Sequence, residues 1–114
     1  MILAIEEFNA KGGVLGRPIE HKWEDTETDA SVAVRKAQRL IERDKIDFMM
    51  GALSSGVAAP LSDLAQRYGI IYCNSNSSGN TVTNEKCQRT NFVWDANNWM
   101  FANALGPLVV KELG

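Results

Sequence analysis

Apolar residues recur along the chain in blocks that switch between helical and strand spacing. Apolar positions three to four residues apart predict helices over residues 2–11, 30–44, 55–68 and 97–113. Residues 19–23 alternate apolar and polar side chains, which is typical of a strand with one sheltered face. Three short apolar runs, 46–50, 70–73 and 92–94, predict further strands, and the first two are apolar enough to be covered on both faces.

This alternation predicts an α/β domain built on a three-layer, doubly wound parallel sheet. Such domains normally open with a strand, whereas this chain opens with a helix. We therefore expect its sheet to lack the first strand.

Several residues predict where the helices begin and end. Gly12 and Gly13 should end the first helix, Thr28 or Asp29 should cap the second, and Gly69 should end the third. Two prolines fall inside helical patterns, where proline lacks the N–H that the helix needs. We expect Pro60 to delay the regular helix until about residue 58, and Pro107 to kink the last helix or start a new segment.

Composition limits the function classes. At 114 residues the chain is one domain or part of one. Its net charge of −2 gives no reason to expect nucleic acid or an anionic membrane as partner. The sequence contains no apolar run long enough to span a bilayer, and its start does not have the pattern of a secretory signal. Cys73 and Cys87 lack metal-ligand spacing, and both a free state and a disulfide are open.

The turn that follows the strand at 46–50 holds the main candidate site. It reads Gly-Ala-Leu-Ser-Ser-Gly-Val over residues 51–57, which places Ser54 and Ser55 at the start of a helix. Free backbone N–H groups and the positive end of the helix dipole suit such a turn to a carboxylate or phosphate. The alternative is that one of these serines only caps the helix.

A second polar stretch, residues 74–83, follows the strand at 70–73 and is rich in hydroxyls and amides. The carboxyl ends of parallel strands lie at one edge of a sheet, where ligands bind in open α/β folds. The stretch is either a second wall of a polar pocket or a solvated loop.

The sequence offers little support for catalysis. The serine turn lacks the G-x-S-x-G pattern of a nucleophile elbow. A catalytic role for the single histidine, His21, would need a nucleophile or a carboxylate beside it, and the sequence indicates neither. The chain also lacks G-x-G-x-x-G and P-loop motifs, so no nucleotide cofactor is indicated. We predict neither catalytic residues, nor a metal site, nor a cofactor.

Four segments in order resemble the leucine/isoleucine/valine-binding protein family, the solute receptors of bacterial ABC transporters with the type I periplasmic-binding fold. They are residues 4–19, which read AIEEFNAKGGVLGRPI, residues 29–37, which read DASVAVRKA, the serine turn through residue 64, and residues 69–83. The resemblance covers nearly the whole chain, and it implies that residues 1–114 are a partial N-terminal lobe of a two-lobe, non-enzymatic receptor.

The resemblance also implies a set of ligand contacts. Ser55 would hydrogen-bond the solute's carboxylate or polar head, and Asn76, through its backbone, and Ser78, through its hydroxyl, would flank that head. Ser77 is a further candidate from the same loop. Amino-acid receptors of the family usually carry a smaller residue where this chain has Asn76, which argues against a simple branched-chain amino acid. Trp94 would either stack on the solute or pack into the core.

The family's partners and location carry over as expectations. The resemblance implies a small amino acid, amide or organic acid as solute, permease subunits as partners in the full-length protein, and a periplasmic or extracytoplasmic location. A ligand-sensing lobe of a regulator with the same fold is the alternative. A sheet without its first strand has unpaired edges, so we expect the chain to self-associate.

Overall fold

The computed structural model describes residues 2–113 and shows a parallel sheet flanked by helices. The helices are α1 (Ile2–Ala10), α2 (Ala30–Glu42), α3 (Ser55–Tyr68) and α4 (Asn98–Leu113), and the strands are β1 (Phe48–Gly51), β2 (Ile71–Asn74) and β3 (Asn91–Val93). The strands pair in the order β1-β2-β3 and all run parallel. The predicted α/β class and parallel sheet are confirmed.

The helix ends follow the capping residues. Asp29 caps α2 by accepting a hydrogen bond from the N–H of Val32 at 2.8 Å. Gly69 ends α3 in the left-handed conformation, with φ of 69°. Gly12 and Gly13, with φ of 99° and 71°, follow the end of α1. The predicted positions of these ends are confirmed.

Both prolines lie inside continuous helices. The expected start of α3 near residue 58 is wrong, because the helix begins at Ser55 and includes Pro60. Pro60 removes only the hydrogen bond that would reach the carbonyl of Gly56, a residue at the exposed first turn where water is an alternative donor. Pro107 lies within α4, which is not divided into two segments there.

The core lies between the sheet and one layer of two helices. α2 packs against α3, and α3 packs against β2. The buried residues of this core are Ala33, Ala37, Ile41, Met49, Val57, Leu61, Leu64, Ala65 and Tyr72. They hold the carboxyl ends of β1 and β2 next to the start of α3.

The other face of the sheet is open within residues 2–113. Alternate strand residues point away from the core, and Phe48, Met50, Ile71 and Phe92 are each about half exposed. α1 and α4 contribute no buried residue. The expectation that the strands at 46–50 and 70–73 are covered on both faces is therefore wrong.

Residues 19–23 do not form the predicted strand. The side chains alternate as expected, but no described strand pairs with this segment. A strand exists only as part of a hydrogen-bonded ladder, so periodicity alone is insufficient. Instead, the side-chain amide of Asn9 bonds both the N–H and the C=O of Ile19, at 2.7 and 3.0 Å. Glu24, just beyond the segment, pairs with Arg39 of α2.

Two further features bear on the expectations from sequence. Cys73 and Cys87 are free, so they do not form a disulfide. Across residues 2–113, we find no helix with both the length and the apolar character that a membrane crossing requires.

Candidate functional site

The turn between β1 and α3 is held in a sharp left-handed path. Gly51 has φ of 132° and Ala52 has φ of 67°. The buried Tyr72 of β2 supports this turn, because its hydroxyl donates to the carbonyl of Gly51 at 3.1 Å. Burial raises the pKa of the Tyr72 hydroxyl above its usual range, so it remains a donor to higher pH than an exposed tyrosine does.

The first turn of α3 has donors available to a ligand. Ser54 occupies the cap position, but its side chain makes no capping hydrogen bond. The N–H groups of Val57 and Ala58 bond the carbonyl of Ser54. Those of Ser55 and Gly56 have no partner among residues 2–113. Two open amides therefore lie at the positive end of a 14-residue helix, directly after the turn that follows β1.

The loop after β2 reaches this helix start. Ser77 Oγ donates to Ser55 Oγ at 3.2 Å, so the two predicted serines lie side by side. Gly79 also abuts Ser55: a Cβ on residue 79 would lie 2.8 Å from both Ser55 Cβ and Ser55 Oγ. The loop can therefore approach the helix only because residue 79 has no side chain.

The side chain of Asn74 holds the backbone of the loop after β2. It is fully buried at the end of β2, and its side chain accepts from the N–H of Ser77 at 3.0 Å. The amide group of Asn74 also donates to the carbonyl of Ser77 at 3.4 Å. We did not single out Asn74 from the sequence, although an asparagine directly after an apolar strand is a signal for this kind of turn.

The start of α4 is bound to the same loop. The N–H of Asn98 donates to the carbonyl of Ser78 at 2.7 Å, and that of Trp99 donates to Asn80 Oδ1 at 3.0 Å. The N–H of Trp94 donates to the carbonyl of Asn74 at 3.1 Å. The site thus joins three separate parts of the chain.

The remaining predicted residues lie around this centre with fewer contacts. Ser78 is half-buried, and its carbonyl accepts the hydrogen bond from the N–H of Asn98 in α4. Asn76 is exposed, and its side chain bonds no described residue. The side chain of Trp94 is 72% exposed. Core packing of Trp94, one of the two alternatives, is therefore wrong.

The hydrogen-bonding groups of the site are neutral. They are hydroxyls, amides and backbone N–H groups, none of which titrates near neutral pH. No group of three His, Cys, Asp or Glu residues within 2–113 is placed to hold a metal ion. A cleft of 460 Å³ lies elsewhere, beside α2, and its lining includes Ala30, Val34 and Pro60 but none of the site residues.

Known proteins resemble the chain in sequence. A family profile described as "Periplasmic binding protein" matches residues 1–114. A Leu/Ile/Val-binding protein homolog of Brucella abortus is 29% identical over 113 residues, covering 97% of this chain and 27% of the relative.

Solved structures resemble it in fold. A periplasmic binding protein from Burkholderia mallei matches with a TM-score of 0.87 and 28% identity, over 97% of this chain and 30% of that one. A solute-binding protein of an ABC transporter from Rhodopseudomonas palustris, in complex with benzoate, matches with a TM-score of 0.84 and 26% identity, over 96% of this chain and 30% of that one. The chain therefore spans less than a third of the length of these relatives.

Proposed function

Because the chain belongs to the periplasmic binding protein family, we propose that it forms part of the ligand-binding lobe of an ABC transporter's solute receptor. The observation that carries this proposal is the pair of open amides at Ser55 and Gly56 beside the bonded hydroxyls of Ser55 and Ser77. Together they form a compact set of neutral donors, which suits an anionic head group.

Burial gives Ser55 a defined role. The Oγ atoms of Ser55 and Ser77 are hydrogen-bonded at 3.2 Å. Ser77 is 1% exposed whereas Ser55 is half-buried, so Ser55 is the one of the two that can reach a solute. We assign Ser55 as the principal donor to the solute, and Ser77 as the residue that orients it.

The other predicted contacts act at the edges of the site. The exposed residues Asn76 and Trp94 are free to meet a solute, Asn76 through its backbone N–H, which bonds no described residue, and Trp94 through its ring. Ser78, half-buried and tied to α4 through its carbonyl, offers its hydroxyl beside the head group.

The proposed solute is a small carboxylate attached to an apolar group. One relative is a Leu/Ile/Val-binding protein homolog, and the structure of another was solved in complex with benzoate. These compounds share a carboxylate next to an apolar side chain or ring. The neutral donors of the site match the first part, and Trp94 matches the second.

The transport setting follows from the family. We propose that the intact receptor works outside the cytoplasm with ABC permease subunits, and that it binds without chemically changing its solute. We further propose that a second lobe of the intact receptor closes over the solute, so that residues 1–114 supply only some of the contacts. Binding by this chain alone is therefore weak, with a dissociation constant on the order of 1 mM.

Backbone amide NMR during a titration with L-leucine and with benzoate tests this proposal. We expect shifts at Ser55, Gly56, Ser77 and Ser78, and their loss in Ser55→Ala. Ser31→Ala, an exposed serine in the first turn of α2, serves as the matched control and should leave the titration unchanged. Carboxylates that shift no amide of the serine turn, or that shift it equally in Ser55→Ala, would contradict the proposal.

A further inference from the structure

The buried residue Asn74 lies where two parts of the proposed site meet. It ends β2, the middle strand of the three within residues 2–113, and pairs with Gly51 of β1 on one side and Val93 of β3 on the other. Its backbone carbonyl accepts a hydrogen bond from the N–H of Trp94, and its side chain bonds the loop that carries Ser77. Asn74 therefore contacts both the serine side of the site and the segment that carries the Trp94 ring.

Both polar atoms of the Asn74 side chain bond the backbone of a single residue. Oδ1 accepts from the N–H of Ser77 at 3.0 Å, and Nδ2 donates to the carbonyl of Ser77 at 3.4 Å. An asparagine amide carries an acceptor and a donor on one short planar group, whereas an ionised aspartate offers acceptors only. The neutral amide can therefore hold the two ends of Ser77 at once, and it does so without placing a negative charge beneath the site.

Ser77 transmits this restraint to Ser55. Ser77 is 1% exposed, so water has little access to its backbone groups as a substitute partner. The Oγ atoms of Ser77 and Ser55 are hydrogen-bonded at 3.2 Å. A buried backbone group that loses its partner is costly, so the loop would move to expose it. Loss of the Asn74 amide would therefore shift Ser77 and disrupt its contact with Ser55.

We propose that Asn74 is a positioning residue of the solute site, which holds Ser77 and, through Ser77, holds Ser55 where the anionic head group binds. This inference rests on the proposed function, because it assigns a role within the same site. Asn74 is 0% exposed, so it does not touch the solute itself. It fixes the donors before the solute arrives, which reduces the ordering that binding requires.

Substitutions at position 74 test this role in an NMR titration with benzoate. Asn74→Ala removes both side-chain bonds and should weaken binding by at least about tenfold, with a changed amide shift at Ser55 before benzoate is added. Asn74→Ser is the conservative variant, because a serine hydroxyl can also accept from a backbone N–H a few residues on. It leaves nearly as much space unfilled as alanine does, yet it should recover most of the affinity. Equal weakening by the two variants would overturn the role of the hydrogen bonds in favour of packing.

Asn91→Ala is the matched control. Asn91 is a half-buried asparagine at the start of β3, and its side-chain amide donates to the carbonyl of Val82 at 3.4 Å rather than to Ser77. Its truncation should leave the affinity for benzoate and the amide shift of Ser55 unchanged.

The outcomes separate this inference from the proposed function. If the parent binds benzoate at the serine turn and folded Asn74→Ala binds it equally well, the positioning role is overturned and the proposed function stands. If the parent binds neither L-leucine nor benzoate there, both are overturned. Circular dichroism shows whether each variant folds. If Asn74→Ala does not fold, Asn74→Val decides in its place, because it also removes both bonds but fills the space with apolar atoms.

Discussion

Gly79 is where the loop after β2 comes closest to the start of α3. Its backbone, with φ of −62° and ψ of 127°, is a conformation that any residue adopts. The cost of a side chain there is therefore steric, since the added Cβ would lie 2.8 Å from Ser55. We expect Gly79→Ala to lower the free energy of unfolding by about 1–3 kcal/mol and to displace Ser55. Urea denaturation and the amide shift of Ser55 measure these effects.

Gly56 provides the matched control, one position from the same serine. A Cβ on residue 56 would meet only Ser54 Oγ at 3.5 Å, an ordinary contact. Since Gly56 is helical, Gly56→Ala should stabilise the protein by about 0.5–1 kcal/mol. If both substitutions changed stability by the same amount, the close approach of Gly79 to Ser55 would not be the cause.

Tyr72 should make stability fall at alkaline pH. Burial raises the pKa of its hydroxyl in the folded protein above the value of about 10 in the unfolded chain. The folded state therefore keeps its proton longer. The stability that this hydroxyl contributes is complete below pH of about 10 and is lost as the pH rises further.

The variant Tyr72→Phe tests this contribution. It removes the hydrogen bond to the carbonyl of Gly51 and should cost about 0.5–1.5 kcal/mol at neutral pH. Above pH of about 10 the stability of the variant should still fall, because Tyr68 titrates in both proteins. It should fall less steeply than that of the parent, because Tyr72 no longer contributes. Urea midpoints measured from neutral to alkaline pH compare the two, and parallel curves would show that Tyr72 does not titrate with folding.

Part of the site could be predicted from single residues, and part could not. The position of Ser55 at a helix start follows from local sequence, since a strand, a glycine turn and hydroxyls occur in order. The contact of Ser77 with Ser55 depends on strand register and on the small size of Gly79. Those are properties of the folded sheet, so the sequence predicted a polar loop near Ser55 but not which hydroxyl touches it.

At the scale of elements, α2 depends on its cap. Asp29 accepts the hydrogen bond from Val32 that the first turn otherwise lacks. We expect Asp29→Ala to reduce the free energy of unfolding by about 0.5–2 kcal/mol. Thermal denaturation measures the loss, and Asp29→Ser, which retains a capping oxygen, should recover most of it. Equal losses in the two variants would exclude the cap as the cause.

The elements also show which predictions depend on the surroundings. α2 and α3 were predictable because each has its own apolar stripe and capping residues. The segment at 19–23 has the side-chain alternation of a strand, but pairing requires a neighbouring strand, which local sequence does not reveal. Half-covered strands such as β1 were misjudged for a similar reason, because an apolar run does not show which of its faces another element covers.

At the scale of the whole molecule, the core and the exposed helix α4 should respond differently to truncation. Leu64 is 1% exposed, so Leu64→Ala should cost about 2–5 kcal/mol. Leu108 is 52% exposed on α4, so Leu108→Ala should change the free energy of unfolding by no more than about 0.5 kcal/mol. Urea denaturation of the two variants measures the difference, and equal losses would contradict the separation of α4 from the core.

The lack of buried residues in α1 and α4 has a consequence for motion. Amide hydrogens exchange with solvent through local opening, and the free energy of opening is smallest where little apolar surface is released. α1 is secured mainly by Asn9 and its adjoining turn, whereas α3 has six buried residues. Deuterium should therefore enter α1 and α4 of the isolated chain long before α3.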